Sequence, residues 1–308
     1  MKPIRDGYGE GLVKLGKVNK NVVVLDAGVS DSTRTEWFKK EFPERFFNMG
    51  ISEADMVCAA AGMSTCGKVA FATSFAGFLL GRTMDQIFVS VAYSKTNVKL
   101  AGSHAGVSVG EDGPTAQSIN DIAMMRAMPN MVVVVPADAK EAEKAVFALA
   151  EHKGPAYIRL ARSDSEEFFG DNYEFKIGKA TVMKKGKNAV IIAIGVMVKE
   201  AMAAAEILEA DGLDVGVVNM STIKPLDREA IIKAAETGVV ITAEDHNIIG
   251  GLGSAVAEVL AEEKLDVAFK RIGAQDRFAE SGPAKELFEK YGLNGKHIAA
   301  AVKAVAKK

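Results

Sequence analysis

The chain has 308 residues and a formal net charge of -2, with 48% hydrophobic and 25% charged residues. A single hydrophobic core rarely grows past about 250 to 300 residues, so two domains are expected. The nearly neutral charge provides no basic surface of the kind that binds nucleic acid or anionic lipid. Small molecules and other proteins are therefore the expected partners.

The chain carries no membrane or secretion signal that we recognise. No apolar run approaches the roughly 18 residues that a membrane-spanning helix needs, and the opening residues lack the apolar core of a signal peptide. There are only two cysteines, Cys58 and Cys66, so a disulfide framework is implausible. We expect a cytoplasmic protein with both cysteines buried as packing residues.

Short runs rich in β-branched residues alternate with helical patterns through the first half of the chain. These runs cover residues 22–26, 69–73, 98–102, 131–136 and 156–161. Such alternation predicts an α/β fold in which a parallel sheet is covered by helices on both faces. We assign residues 1–165 to this first domain.

A polar stretch after residue 165 interrupts the pattern, and residues 166–184 are predicted to be a linker. The alternation then resumes with strand patterns at 189–195, 214–220 and 239–244, and with helical patterns at 198–212, 227–237 and from about 252. Residues 185–308 are therefore predicted to form a second, smaller α/β domain.

Neither glycine-rich stretch of the chain fits a known phosphate loop. GYGEG (7–11) lies in a helical pattern, and GGLGS (250–254) lacks the spacing of GxGxxG or of a P-loop. The four histidines are not spaced like the ligands of a zinc site, so no metal ligands are assigned to the chain.

The segment 48–78 places one carboxylate, Glu53, before a run of small residues and then two phenylalanines. Glu53 could be an ordinary acid in the first turn of a helix capped by Ser52. Alternatively, the small residues would let a ligand approach closely, and Phe75 and Phe78 would offer flat faces beside the carboxylate. A carboxylate next to aromatic rings suits a heteroaromatic ligand with a basic nitrogen.

The stretch HAGVSVGEDGPT (104–115) combines a histidine, two acids and several glycines directly after a predicted strand. Loops at this end of a parallel sheet commonly bind ligands. A polar loop with a capping aspartate is the alternative interpretation. The position of the loop nevertheless makes His104 and Asp112 candidate site residues.

Three motifs together resemble the C-terminal half of transketolases, in the form where the enzyme is split into two chains. They are GISEADMVCAAAGMS (50–64), ATSFAGF (72–78) and GSHAGVSVGEDGPT (102–115). The resemblance implies a thiamine diphosphate pyrimidine-binding domain followed by a transketolase C-terminal domain. The GDG motif that holds magnesium and diphosphate in this family does not occur in the chain. The resemblance therefore implies that an N-terminal transketolase subunit supplies the Mg²⁺ ligands, in a heterotetramer.

The resemblance also implies roles for individual residues. Glu53 would share a proton with N1′ of the thiamine pyrimidine, and burial would favour its uncharged form. Phe75 would stack on the pyrimidine, and Phe78 would line the same pocket. His104 would move protons or donate a hydrogen bond near the reacting sugar oxygens, while Asp112 would accept a bond from a sugar hydroxyl.

Three further positions resemble the phosphate-recognising set of transketolases, namely Arg5, Ser30 and Arg162. Two guanidinium groups and a hydroxyl suit a terminal phosphate, although either arginine could instead form a surface ion pair. One position departs from the pattern of many transketolases, because Ala116 stands where they have a histidine. This departure leaves donor specificity open.

The function implied is transfer of a two-carbon ketol unit from a ketose phosphate to an aldose phosphate, as in the pentose phosphate pathway. The alternatives are a subunit similar to 1-deoxyxylulose-5-phosphate synthase or to the β chain of 2-oxo acid dehydrogenase E1. The GEDGPT stretch and the phosphate set argue against the second of these. A noncatalytic assembly module that has lost turnover is a further alternative, suggested by Ala116 and the missing diphosphate motif.

Overall fold

A computed structural model describes residues 1–306 of the chain. The strands of the first half are β1 (Lys2–Pro3), β2 (Val22–Asp26), β3 (Phe46–Asn48), β4 (Val69–Phe75), β5 (Val98–Ser103), β6 (Val132–Val134), β7 (Ala156–Leu160) and β8 (Asp164–Ser165). The helices between them are α1 (Ile4–Val18), α2 (Ser30–Thr33), α3 (Thr35–Glu41), α4 (Glu53–Thr65), α5 (Ala76–Gly81), α6 (Met84–Gln86), α7 (Asp121–Ala127) and α8 (Ala139–Glu151). A π-helix covers Ile87–Tyr93, and 3₁₀ turns cover Pro43–Arg45 and Val107–Asp112.

The second half contains six more strands and five more helices within the described residues. The strands are β9 (Thr181–Lys184), β10 (Ala189–Ala193), β11 (Val215–Asn219), β12 (Thr222–Lys224), β13 (Val239–Asn247) and β14 (Ala268–Ala274). The helices are α9 (Met197–Ala210), α10 (Arg228–Ala235), α11 (Leu252–Glu262), α12 (Ala284–Tyr291) and α13 (Gly295–Ala306).

The first sheet has the strand order β12-β6-β7-β5-β4-β2-β3. All of its neighbouring pairs are parallel except β12 with β6. Every residue of β2 and of β7 is buried, because helices cover both faces of the sheet. The parallel sheet predicted from the alternating pattern is confirmed.

The second sheet has the order β14-β13-β10-β11-β9, with β9 antiparallel at one edge. Strand β9 lies inside the range 166–184 that was predicted to be a linker. Strand β12 comes from the second half of the chain but pairs with β6 of the first sheet. The exact domain boundaries stay a prediction, and the two halves share structure at β12.

Helix α4 explains the environment of both Glu53 and the cysteines. Ser52 occupies the N-cap position as expected, but its side chain makes no capping hydrogen bond. The buried face of the helix consists of Glu53, Met56, Val57, Ala60 and Ala61. The prediction that both cysteines are buried is wrong, because Cys58 lies off this face and Cys66 follows the end of the helix, so both are exposed on this chain.

Candidate active site

Polar and aromatic side chains gather where the parallel strands of the first sheet end. Asp26 is the last residue of β2, Phe75 is the last residue of β4, and His104 directly follows β5. The carboxyl ends of parallel strands lie at one edge of a sheet, which is the usual ligand edge of an α/β fold. The fold therefore brings predicted site residues from distant parts of the chain to a single edge.

Asp26 organises one wall of this edge. Its buried carboxylate accepts hydrogen bonds from the Val29 amide at 2.7 Å and from the hydroxyls of Thr33 and Thr35 at 2.8 Å each. Burial raises the pKa of Asp26, and these hydrogen bonds oppose that rise. The bonds fix the loop after β2 and hold Arg34 in place beside the site.

His104 is held as a neutral imidazole. Its Nε2 lies 3.0 Å from Nη1 of Arg5, and its Nδ1 lies 2.9 Å from the Ser103 hydroxyl. Arginine can only donate, so we assign Nε2 as the acceptor and place the ring proton on Nδ1. Burial and the nearby positive charges of Arg5, Arg162 and Arg34 lower the pKa of His104 to about 3. The ring is therefore uncharged at neutral pH and can accept a proton or a hydrogen bond.

Phe75 and Phe78 form an aromatic wall together with this imidazole. The ring centroids of Phe75 and His104 are 4.0 Å apart and nearly parallel, at 26°. The Phe75 and Phe78 centroids are 5.7 Å apart with an interplanar angle of 27°. The structure thus brings the two predicted phenylalanines together, with Phe75 between His104 and Phe78. Such a flat apolar wall can pack against a planar heteroaromatic ring.

Glu53 lies at the far end of this wall and is only 4% exposed. Its two carboxylate oxygens each accept a hydrogen bond from Nη1 of Arg82 at 3.0 Å. The Arg82 guanidinium also lies over the ring of Phe78, 4.5 Å from its centroid. The expected burial of Glu53 is found. Its carboxylate, however, is paired with a guanidinium rather than surrounded by apolar groups alone.

A small cavity of about 230 Å³ lies at the opposite end of the wall. It is lined by Arg5, Asp31, Ser32, Arg34, Phe75, His104, Asp112 and Arg162. Three guanidiniums thus face two carboxylates. Burial and the charge of Arg34 lower the pKa of Arg5, and Nε of Arg5 is buried without a hydrogen-bond partner. An anion bound here would offset the charge repulsion and satisfy that nitrogen.

The predicted phosphate set is only partly assembled around this cavity. Arg5 and Arg162 line it, but Ser30 does not, and Ser32 lies there instead, with its carbonyl 2.8 Å from Nη1 of Arg5. Arg162 also donates to Oδ1 of Asp112 at 3.3 Å. The predicted substrate residue Asp112 is therefore already paired with a predicted phosphate ligand.

The sequence interpretation missed Arg34 and Arg82. Arg82 had a local signal, because it lies four residues after Phe78 in a helical segment, and residues at that spacing are neighbours on a helix surface. Arg34 had none, since the partner that holds its side chain is Asp6, which lies 28 residues earlier in the chain. Ala116, which was expected near the donor sugar, is 5% exposed and does not line the cavity.

Within residues 1–306, no group of three or more His, Cys, Asp and Glu side chains is arranged to hold a metal ion. None of the helices in this part of the chain is both long and apolar enough to cross a membrane.

The chain is similar to known families and proteins over most of its length. The family description "Transketolase, pyrimidine binding domain" matches residues 1–166, and "Transketolase, C-terminal domain" matches residues 178–298. A provisionally named transketolase C-terminal section of Methanocaldococcus jannaschii is 49% identical over 97% of this chain and 94% of that protein. The 6-deoxy-6-sulfo-D-fructose transketolase subunit SqwH of a Clostridium species is 39% identical over 99% and 95%, respectively.

A solved structure also shows similarity to a transketolase. The protein titled "Split gene transketolase, inactive beta4 tetramer" superimposes with a TM-score of 0.93 at 48% identity, covering 100% of this chain and 99% of the other. These relatives do not favour the synthase-like, dehydrogenase-like or noncatalytic alternatives, and the predicted order of the two domains is confirmed. The chain therefore belongs to the transketolase family and comprises the pyrimidine-binding and C-terminal domains of a transketolase.

Proposed function

We propose that the chain is the C-terminal subunit of a two-chain, thiamine diphosphate-dependent transketolase. In this proposal it transfers a two-carbon ketol unit from a ketose phosphate to an aldose phosphate, together with a subunit that binds diphosphate. The observation that carries the proposal is the arrangement along one sheet edge. A buried carboxylate, an aromatic wall and a cavity with three arginines follow one another there.

The residues at the Glu53 end fit the pyrimidine of thiamine diphosphate. When bound, this cofactor supplies the nucleophilic carbon that cleavage of a ketose C–C bond requires. Glu53 would hold a proton at the ring nitrogen N1′, and Phe75 and Phe78 would pack against the ring and exclude water. For Glu53 to reach a cofactor nitrogen, Arg82 must share or give up at least one of its two carboxylate contacts.

The residues at the other end fit the sugar phosphate. Arg5, Arg34 and Arg162 would bind its terminal phosphate, and Asp112 would accept a bond from a sugar hydroxyl. Arg5 donates to Nε2 of His104 in the present arrangement. If Arg5 turned toward a phosphate, Nε2 would be free to accept a proton from a substrate hydroxyl. Because His104 is neutral, the lone pair of its Nε2 is available for this contact.

The chemistry of the cavity also bears on the choice of anion. The Clostridium relative is named for a sulfonated sugar, and a sulfonate is tetrahedral like a phosphate. A phosphate monoester carries about 1.5 to 2 negative charges at pH 7, whereas a sulfonate carries one. The three guanidiniums outnumber the two carboxylates of the cavity, and guanidiniums pair bidentately with phosphate, so we propose sugar phosphates as the substrates.

A partner chain is part of this proposal. The magnesium ion and the diphosphate would be held by an N-terminal transketolase subunit, and the complex would be a heterotetramer in the cytoplasm. The split-gene transketolase supports this arrangement, because that protein is an inactive tetramer of β chains. The two free cysteines, Cys58 and Cys66, are consistent with a reducing compartment.

The test is ketol transfer measured with the purified chain alone and with a diphosphate-domain partner, using phosphate-terminated and sulfonate-terminated ketoses. We expect no appreciable turnover by the chain alone, and turnover of the phosphates when both chains, Mg²⁺ and thiamine diphosphate are present. Robust transfer by the isolated chain would contradict the two-chain assignment. A preference for the sulfonated sugar would contradict the phosphate assignment.

A further inference from the structure

A buried side chain of strand β13, in the C-terminal half, contacts the loop between His104 and Asp112 in the first half. We propose that this residue, Asp245, is a positioning residue for ketol transfer, because it fixes the loop between His104 and Asp112. The inference rests on the proposed function, since it assumes that this loop contacts the sugar. It also assigns the C-terminal half a part in substrate binding as well as in assembly.

The Asp245 carboxylate binds two consecutive backbone amides at the start of the 3₁₀ turn Val107–Asp112. Its Oδ1 lies 2.7 Å from the amide of Val107, and its Oδ2 lies 3.1 Å from the amide of Ser108. Asp245 is only 2% exposed, so no water can replace these bonds without a local rearrangement. Hydrogen bonds to a charged, buried acceptor are the strong ones, and the two amides are held firmly.

Gly106 shows how closely the two halves approach. A Cβ atom at this position would lie 2.1 Å from Oδ2 of Asp245, and the residue has a φ of 89°. His104 also has a positive φ, at 57°, which is uncommon for a residue with a side chain. The backbone between β5 and the 3₁₀ turn therefore takes an unfavourable path that surrounding contacts must hold in place.

Asp245 is itself fixed by the first half of the chain. Nη2 of Arg159, a residue of β7, donates to the Asp245 carbonyl at 2.8 Å and to the Ser118 carbonyl at 3.2 Å. Nε of Arg159 donates to Asp121 at 2.7 Å, so the guanidinium is locked in one orientation. The carboxylate of Asp245 therefore has a defined position relative to the sheet edge.

A second contact holds the far end of the same loop. The Ser281 hydroxyl donates to the carbonyl of Glu111, next to Asp112. Nε2 of Gln117 donates to the carbonyl of Glu280 at 2.9 Å. The loop is thus attached to the C-terminal half near both ends, with Asp245 as the buried attachment and Ser281 as the exposed one.

Loss of the Asp245 carboxylate would affect sugar binding more than cofactor binding. The loop carries His104 and Asp112, whereas Glu53 and Phe78 lie on helices α4 and α5. Displacing catalytic groups by as little as about 1 Å can cost two orders of magnitude in rate. We expect the KM for ketose phosphate to rise on the order of tenfold in Asp245→Asn, with a small change in thiamine diphosphate affinity.

The test compares Asp245→Asn with Glu244→Gln in the two-chain complex. Glu244 is the neighbouring buried acid, but it accepts the amides of Leu252 and Gly253 at helix α11 instead of those of the loop. Two quantities are measured, namely hydrogen exchange at the amides of Val107 and Ser108 and the separate values of KM and kcat. We expect faster exchange and a raised KM in Asp245→Asn only.

A second variant covers the case in which Asp245→Asn does not fold. Ser281→Ala removes the exposed attachment, and it should raise the KM in the same direction by a smaller factor. Equal exchange and equal KM in the Asp245 and Glu244 variants would overturn the inference, as would an unchanged KM in Ser281→Ala where only that variant folds. If the wild-type complex showed no ketol transfer, this result would contradict the proposed function. The exchange rates would still decide whether Asp245 orders the loop.

Discussion

Nη1 of Arg82 lies 3.0 Å from both carboxylate oxygens of Glu53. The carboxylate is almost fully buried, whereas the arginine side chain is 49% exposed. The arginine can therefore move into solvent more easily than the glutamate can. The pair keeps a buried charge compensated in the chain by itself, and it leaves a contact that a ligand nitrogen could take over.

A double-mutant cycle measures the strength of this pair. We expect Glu53→Gln and Arg82→Ala to be coupled by about 1 kcal/mol in the free energy of unfolding, because one partner is buried and the other is half exposed. The measurement is urea unfolding of the two single variants and the double variant. The exposed pair Arg228–Glu262 is the matched control and should couple less. Equal coupling in the two cycles would contradict the structural distinction.

The role proposed for Glu53 predicts a kinetic effect in the assembled enzyme. Glu53→Gln should slow exchange of the C2 proton of thiamine diphosphate by on the order of 10²-fold, as expected when a positioned proton-transfer group is lost. Exchange is followed by quenched-flow NMR. Asp55→Asn is the control, since Asp55 lies in the same first turn of α4 but is exposed. Unchanged exchange in Glu53→Gln would show that Glu53 is an ordinary acid in the first turn of a helix, with no role in proton transfer.

The cavity with three arginines predicts selective loss of phosphorylated substrates. Arg162→Ala should raise the KM of sugar phosphates far more than that of unphosphorylated sugars, since a hydrogen bond to a charged group is worth about 1.5 to 3 kcal/mol. Arg5→Ala should have at least as large an effect, because Nε of Arg5 lacks a partner. Arg228→Ala serves as a surface control. If both classes of sugar were affected equally, the arginines would be structural.

The lowered pKa of His104 predicts that the free energy of unfolding decreases as the pH falls. Burial and neighbouring arginines lower the pKa of His104 to about 3. Between that pH and about 6.5 the unfolded chain binds a proton that the folded chain does not, so stability is lost as the pH falls through this window. The buried His246, whose pKa is lowered to about 4 by burial, acts in the same direction.

His104→Gln should therefore flatten the slope of stability against pH between pH 4.5 and 6.5. Urea unfolding at intervals across this range gives the slope. His297→Gln is the control, because His297 is an exposed histidine on the surface of the chain. A slope in His104→Gln as steep as in the wild type would show that His104 is not held neutral.

The sequence predicted most of the fold because buried parallel strands are continuous apolar runs. The segments 22–26 and 156–161, for example, match β2 and β7 closely. Strand β9 was missed, since an edge strand that is only partly buried lacks both the apolar run and the strict alternation. Strand β12 was missed because its three residues pair with a strand almost ninety positions earlier, and no local pattern signals such a contact.

Residues of the candidate site were predicted where they lie in a local sequence motif. They were missed where contacts from distant parts of the chain bring them to the site. Phe75 and Phe78 lie three residues apart, and the structure stacks them side by side. Arg34 and Asp245, in contrast, act through partners in other elements of the fold. Ser30 was predicted because its position resembles one in the phosphate-recognising set of transketolases, but Ser32 lines the cavity instead.

The pairing of β12 with β6 also has a bearing on how the chain can be divided. A fragment ending before β12 would leave the apolar edge of β6 without its neighbour, and exposed strand edges promote aggregation. Lys224 of β12 also donates to the carbonyls of Arg126 and Met128, which lie at and just after the end of α7. A protease cut between residues 166 and 180 would therefore nick the backbone while both pieces stayed together. Expression of the pyrimidine-binding half as a separate fragment requires an added strand to protect that edge.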